Sequence, residues 1–164
     1  MEDHKHVNST SAHLMRQHYV MFAVNMAVSF VIMYLVMFSM IWSAGEFVQN
    51  LNFFYMALTM ATPMGILMLL TMGSMFTNRR INLILHAALG LTFVLALAAT
   101  RMQTLVGDRQ FVRSMIPHHS GAILMCERAS LRDAEIRELC FSPTGIVESQ
   151  RREIAQMQAI LSRR

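Results

Sequence analysis

Three stretches of this 164-residue chain carry no charged side chain: residues 17–45, 47–78 and 81–100, runs of 29, 32 and 20 residues. Coiled as a helix, each is long enough to cross about 30 Å of hydrocarbon. The pattern predicts three membrane helices over residues 19–43, 52–76 and 81–100. Eighteen largely polar residues precede the first span and no small-residue cleavage site closes it, so it reads as a span and not as a cleaved leader.

Beyond residue 106 the pattern changes to that of a soluble helical unit. Its 58 residues hold nine Arg and seven Asp or Glu, and the two signs alternate along the chain. Alternation of this kind marks a solvated helix surface, so the net charge of +4 does not indicate a nucleic-acid partner. The expected organisation is a polar tail over 1–18, mobile and carrying His4, His6 and His13, a three-helix membrane region over 19–106, and a soluble unit over 107–164. Arg79 and Arg80 lie in the second connection, whereas the first, "SAGEFVQN", has no Lys or Arg. The positive-inside rule therefore places the tail and second connection inside, and the first connection and the 107–164 unit outside.

Within the soluble unit the expected order is helix, short helix, helix. At 100° per residue Asp108, Phe111, Met115, His118, His119, Ala122, Met125, Cys126 and Ala129 fall within about 120° of one another. In the last helix Ile146, Gln150, Glu153, Ile154, Met157 and Leu161 share a face, and the two stripes are expected to pack on each other. Pro117 predicts a bend, or a new helix start, just before the histidines. Asp133 is a candidate cap for the short helix, and Ser142 with Pro143 a candidate cap and first-turn pair for the last one.

The stripe gathers Met115, His118, His119, Met125 and Cys126, a thioether, imidazole and thiol mixture that suits Cu(I) and not a hard cation. The competing reading is ordinary core: methionine fills irregular gaps, and buried histidines find hydrogen-bond partners. On the residues alone the core reading stays ahead. Cys126 and Cys140 are the only cysteines, and a disulfide between them or a metal-bound or free thiol at Cys126 remain alternatives.

The segment "DRQFVRSMIPHHSGAILMC", followed by "IVESQRREIAQMQAIL", resembles the bacterial family called domain of unknown function 305, over about residues 107–162. That family is helical, ferritin-like and exported, with a His-His signature. The resemblance implies copper or silver binding linked to metal tolerance, with Met115, His118, His119 and Met125 as ligands and Met157 as a partner from the last helix. It implies Asp108, Gln150 and Glu153 as outer-shell groups around the metal. This sequence departs from the family at "CFSPTGI", a proline-bearing connection where the family runs an unbroken helix.

The membrane segments are rich in methionine. Met56, Met60, Met64, Met68 and Met72 recur every four residues, and Met26, Met33, Met37 and Met40 form a straight stripe. Helix packing explains both rows more simply than a path for Cu(I), and the third helix lacks the Gly-x-x-x-Gly that would strengthen a transporter analogy. His86, in the third span, is expected to bond a backbone carbonyl or Asn25. No catalytic triad, phosphate loop or paired acids occur, so an enzyme is not expected.

These readings converge on an all-α protein: three transmembrane helices followed by a helical hairpin that completes a four-helix bundle by oligomerisation. The expected function is a Cu(I)- or silver-binding protein anchored in the bilayer of a bacterial inner membrane, its carboxy-terminal unit periplasmic, acting in buffering, delivery or tolerance. Expected partners are a second copy of the chain, a dimer being favoured, and a copper-accepting protein. The alternatives are a metal-free structural subunit of a membrane complex and a copper permease using the membrane methionines.

Overall fold

The computed structural model describes residues 2–163, with side chains from His13 onward, so His4 and His6 lie outside the described side chains. The chain is all helical, and no strand occurs among the described residues. It divides into two compact units, residues 1–34 with 55–102, and residues 35–54 with 103–164.

The first unit contains most of α1 (Glu2–Val36) and α2 (Leu51–Thr71), and all of α3 (Arg79–Met102). Three helices here are long and apolar enough to cross a membrane, as expected from the uncharged runs. The helical state follows from the medium: in hydrocarbon, each backbone amide and carbonyl must find its partner within the segment. Three ends differ from the expected spans. α1 begins at Glu2, so the tail expected over residues 1–18 is continuous with the first span as one helix from Glu2. The first α-helix stops at Val36 and tightens into a 3-10 turn over Met37–Met40. The second stops at Thr71, and residues 72–75 form a turn closed by Met75 N–H donating to the Met72 carbonyl at 2.9 Å. Asn78 then starts α3, its side-chain oxygen accepting from the amides of Arg80 and Ile81 at 3.1 and 3.2 Å.

Phe22, Leu69 and Phe76 form the core of this unit, with Tyr19, Met26, Met68, Leu85 and Leu89 packed around them. At Gly65 the helices approach so closely that a Cβ would lie 2.8 Å from the Met26 sulfur, so this methionine fills a tight interhelical gap. His86 Nδ1 donates to the Asn82 carbonyl one turn back, at 2.7 Å, the carbonyl partner expected for it.

The second unit contains α4 (Asp108–Arg128), α5 (Ala134–Phe141) and α6 (Ile146–Ser162), together with the connection over residues 35–54. The soluble unit thus includes the first loop, which chain order had placed with the membrane region. Left-handed backbone at Gln103 and Leu105 ends α3 and makes room for α4 to start after Gly107. Pro117 neither ends α4 nor begins it: the helix runs unbroken from Asp108 to Arg128 with Pro117 buried inside. The ring removes one amide from the ladder, a loss that packing on the buried side offsets. Asp133 caps α5 as expected, accepting from the amides of Glu135 and Ile136. Ser142 and Pro143 do not cap α6. They lie in a turn in which Gly145 N–H donates to the Ser142 carbonyl at 2.8 Å, and Gly145 is the residue before the helix. A Cβ at Gly145 would stand 2.8 Å from the Leu139 carbonyl, so this turn requires glycine.

Ile116 and Ile123 are fully buried at the centre of this unit, with Cys126, Cys140, Val147 and Ile154 around them. The expected stripe of α4 is therefore corrected. Its Phe111 is 53% exposed, and the ridge that packs against α6 runs through Val112, Ile116, Ile123 and Cys126, about 100° around the helix from Phe111, Ala122 and Met125. The α6 face is close to expectation, with Ile154 buried and Ile146, Met157 and Leu161 half-buried against the same cluster.

Candidate metal centre

Helices α4 and α6 form an antiparallel hairpin, and two side-chain contacts mark its register. His119 Nδ1 lies 2.9 Å from Glu153 Oε2, and Arg151 Nη2 donates to Glu127 Oε1 at 2.9 Å. One turn before His119 on α4 is Met115, and one turn beyond Glu153 on α6 is Met157. Because the helices run in opposite directions, those two thioethers stand at the same level of the hairpin. Both side chains are half-buried, and Met157 packs against the Ile116 and Ile123 cluster. The hairpin thus brings His119, Met115 and Met157 to one neighbourhood, with Glu153 behind the imidazole.

The remaining sequence candidates separate from that group. His118 is exposed on the outer side of α4, as is Met125, which is 59% exposed. Asp108 sits in the first turn of α4, about 16 Å along the axis from His119 at 1.5 Å per residue, too far to support the imidazole. Gln150 is half-buried, three residues before Glu153 on α6. Cys126 is bonded to Cys140, Cα to Cα 5.7 Å. The disulfide corrects the ligand set, because a disulfide sulfur is not a thiolate donor. Among the described residues no three His, Cys, Asp or Glu side chains form a metal-holding group, so any site here depends on thioether donors.

The electrostatics of His119 suit a ligand. Burial holds its pKa below the ordinary imidazole value of 6.5, His118 pushes the same way, and Glu153 opposes both. The 2.9 Å approach of Glu153 to His119 Nδ1 lacks hydrogen-bond alignment, so the carboxylate acts on the ring through its charge; a small rotation that let Nδ1 donate to it would leave Nε2 as the basic nitrogen, the arrangement usual behind a metal-bound histidine. The lowered pKa also sets a pH dependence. The unfolded chain takes up a proton at this residue near pH 6.5 while the folded chain does so only at lower pH, so stability rises with pH across that window and falls on acidification through it. Thermal unfolding of the full chain in detergent between pH 7.5 and 5.5 should show this loss, and His119→Gln should flatten it. An unchanged slope in that variant would assign the dependence to another group.

One polar cluster had no counterpart among the sequence candidates. Glu46, buried in the first loop, accepts from the Ser43 amide at 2.9 Å and from the Ser120 hydroxyl, and Ser120 Oγ in turn accepts from the Trp42 amide at 2.6 Å. The Trp42 ring lies 5.5 Å from the Arg128 guanidinium carbon, a cation–π contact on the same side of α4. The available signal was Glu46 itself, the sole charged residue in a long apolar tract.

A family model, domain of unknown function (DUF305), matches residues 94–161, beginning inside α3 and covering α4 to α6. An uncharacterized protein of Acanthamoeba polyphaga mimivirus is 34% identical over 124 residues, which cover 74% of this chain and 78% of that protein. The chain belongs to the DUF305 family. The viral relative matches over more residues than the 107–164 unit contains, so the likeness extends beyond the hairpin. No solved structure matches the chain. The residues quoted as the family's motif occupy both helices of the DUF305 hairpin, with the His-His pair on α4 and Met157 on α6.

Proposed function

We propose that this DUF305 protein is a membrane-anchored Cu(I)- or Ag(I)-binding protein that buffers or delivers the metal, or confers tolerance to it, without catalytic turnover. The observation that carries this reading is the neighbourhood of His119: an imidazole whose pKa burial lowers, beside the Glu153 carboxylate, with the thioethers of Met115 and Met157 one turn away on the two helices. Imidazole with thioether is a soft donor set suited to a monovalent d10 ion.

One ion does not take all the sequence-selected donors. Met115 and Met125 are ten residues apart on one helix, about 15 Å along its axis. The outer donors belong to a different surface. Phe111, Met115, His118, Ala122 and Met125 are spaced by four, three, four and three residues, the alternation of a coiled-coil seam, and the hairpin leaves Phe111, His118 and Met125 exposed. In this reading a second copy covers the seam, giving a dimeric four-helix bundle in which His118 of each chain faces the dimer interface and a copper-accepting protein exchanges metal at its open end. The unit faces outward, to the periplasm of a bacterial inner membrane. Two observations support that side: the disulfide, which persists in oxidising compartments, and the packing of the first loop with the carboxy-terminal unit, which puts both on one side.

The test uses the full chain in mild detergent. Competition with a chromogenic Cu(I) chelator should show tight binding, and His118→Ala with His119→Ala should weaken the hairpin site at least 100-fold, about 2.7 kcal/mol. Light scattering on the same metal-loaded sample should give a dimer mass after subtraction of detergent. Unchanged affinity together with an unchanged number of metal ions bound per chain in the double variant would favour a structural subunit whose histidines serve packing, and a monomeric metal-loaded protein would remove the seam pairing.

A further inference from the structure

Within the membrane unit, α1 and the end of α2 enclose a groove of about 460 Å³ whose walls include His18, Met21, Asn25, Met68, Met72 and Met75. Two polar contacts tie its ends. His18 Nδ1 lies 3.1 Å from the Met75 carbonyl oxygen, and Asn25 Nδ2 donates to the Met68 sulfur at 3.8 Å. Residue 18 opposite 75 and residue 25 opposite 68 describe one antiparallel register. Met72 and Met75 lie in the turn over residues 72–75 that follows α2, and Met21 stands one turn after His18 on α1. The groove is thus lined by three thioethers and one imidazole.

The histidine contact has a chemical consequence. A carbonyl oxygen only accepts, so Nδ1 carries a hydrogen, and in the neutral ring the lone pair is then on Nε2. A backbone carbonyl that fixes the tautomer in this way is the usual support behind a metal-ligating histidine. The methionines also differ from those that only pack. Met26 is wedged against Gly65 with no space to spare, whereas Met21, Met72 and Met75 are exposed and line an open volume. A hydrocarbon tail in this groove would gain nothing from an imidazole, which costs free energy against apolar walls unless it finds a partner. No carboxylate lines the groove, which excludes a hard divalent cation as the natural occupant.

We infer that His18, Met21, Met72 and Met75 form a second soft-cation site, for Cu(I) or Ag(I), in the membrane unit. It uses none of the hairpin's residues and stands or falls independently of the site on α4 and α6.

The experiment takes the full chain in lipid nanodiscs, in a background carrying His118→Ala, His119→Ala, Met115→Leu and Met157→Leu so that the hairpin donors are removed. Equilibrium dialysis against buffered Ag(I), with metal counted per chain, should leave about one equivalent bound in this background. Adding Met21→Leu, Met72→Leu and Met75→Leu should remove that equivalent or weaken it at least 10-fold, because Leu keeps the volume and removes the sulfur. His18→Gln should weaken it as well, and X-ray absorption of the Cu(I)-loaded background should show sulfur with nitrogen or oxygen neighbours. If the triple Leu protein does not fold, the single Met72→Leu variant carries the test. No bound metal in the background, or the same metal bound after removal of the thioethers, would overturn the inference and mark the groove as an acyl-chain site. Neither result would touch the hairpin site, whose failure would instead appear as equal binding with and without His118 and His119.

Discussion

Ile123→Ala should destabilise the hairpin unit by about 3 kcal/mol, in the range of 2–5 kcal/mol found when a fully buried isoleucine is truncated. Ile123 is completely buried between α4 and α6, in the cluster that contains Ile116 and Ile154, so the lost methyl and methylene groups leave a cavity that the packed helices collapse only in part. Trp42 is the sole tryptophan and belongs to this unit, with its ring near Arg128, so its fluorescence in a denaturant titration of the full chain reports the unit's unfolding. The comparison is Phe111→Ala. At low protein concentration that exposed residue should cost less than about 1 kcal/mol, and its cost should grow with concentration as copies pair through the seam. Equal losses at Ile123 and Phe111 in dilute protein would show that the wrong face of α4 has been assigned to the core.

Removing the Cys126–Cys140 disulfide, by Cys126→Ser with Cys140→Ser, should lower stability by about 3 kcal/mol, the value for a closed loop of some 15 residues. The two cysteines are 14 residues apart and join the end of α4 to α5, a helix of 8 residues with little core of its own. Without the bond, α5 should detach before α4 and α6 separate, which hydrogen exchange would resolve as early loss of protection over Ala134–Phe141. The same bond reports the side of the membrane. With the unit facing an oxidising compartment, thiol trapping in intact cells should find both cysteines blocked until a reductant is added. Rapid labelling without reductant would place the unit on the cytoplasmic side and reverse the proposed orientation.

The membrane helices could be read from the chain because hydrocarbon leaves so little choice. Runs of 20 residues or more without a charge satisfy their backbone only as helices, whatever their neighbours. Asp133 was legible for a similar reason, since its side chain caps amides two and three residues ahead in a local arrangement. The sequence also singled out His119, Met115 and Met157 as candidate donors, and their grouping is a matter of tertiary structure. The hairpin brought His119, Met157 and Glu153 together, and separated His118, Met125 and Asp108 from them.

Local pattern was enough to set the helical class, three helices long and apolar enough to cross a membrane, and the set of soft donors on α4, through hydrophobic periodicity and interactions within a few residues. Which of two adjacent faces of α4 meets α6, by contrast, was settled by long-range packing. Periodicity marks Phe111, Met115, Ala122 and Met125 as plausibly as Val112, Ile116 and Ile123, and the choice falls to the branched ridge that α6 buries. Long-range packing also decided that Pro117 sits inside a continuous helix, that Cys126 meets Cys140, and that Glu46 reaches Ser120 across 74 residues. Such contacts leave no local trace, because their free energy appears only once distant segments have excluded water from between them.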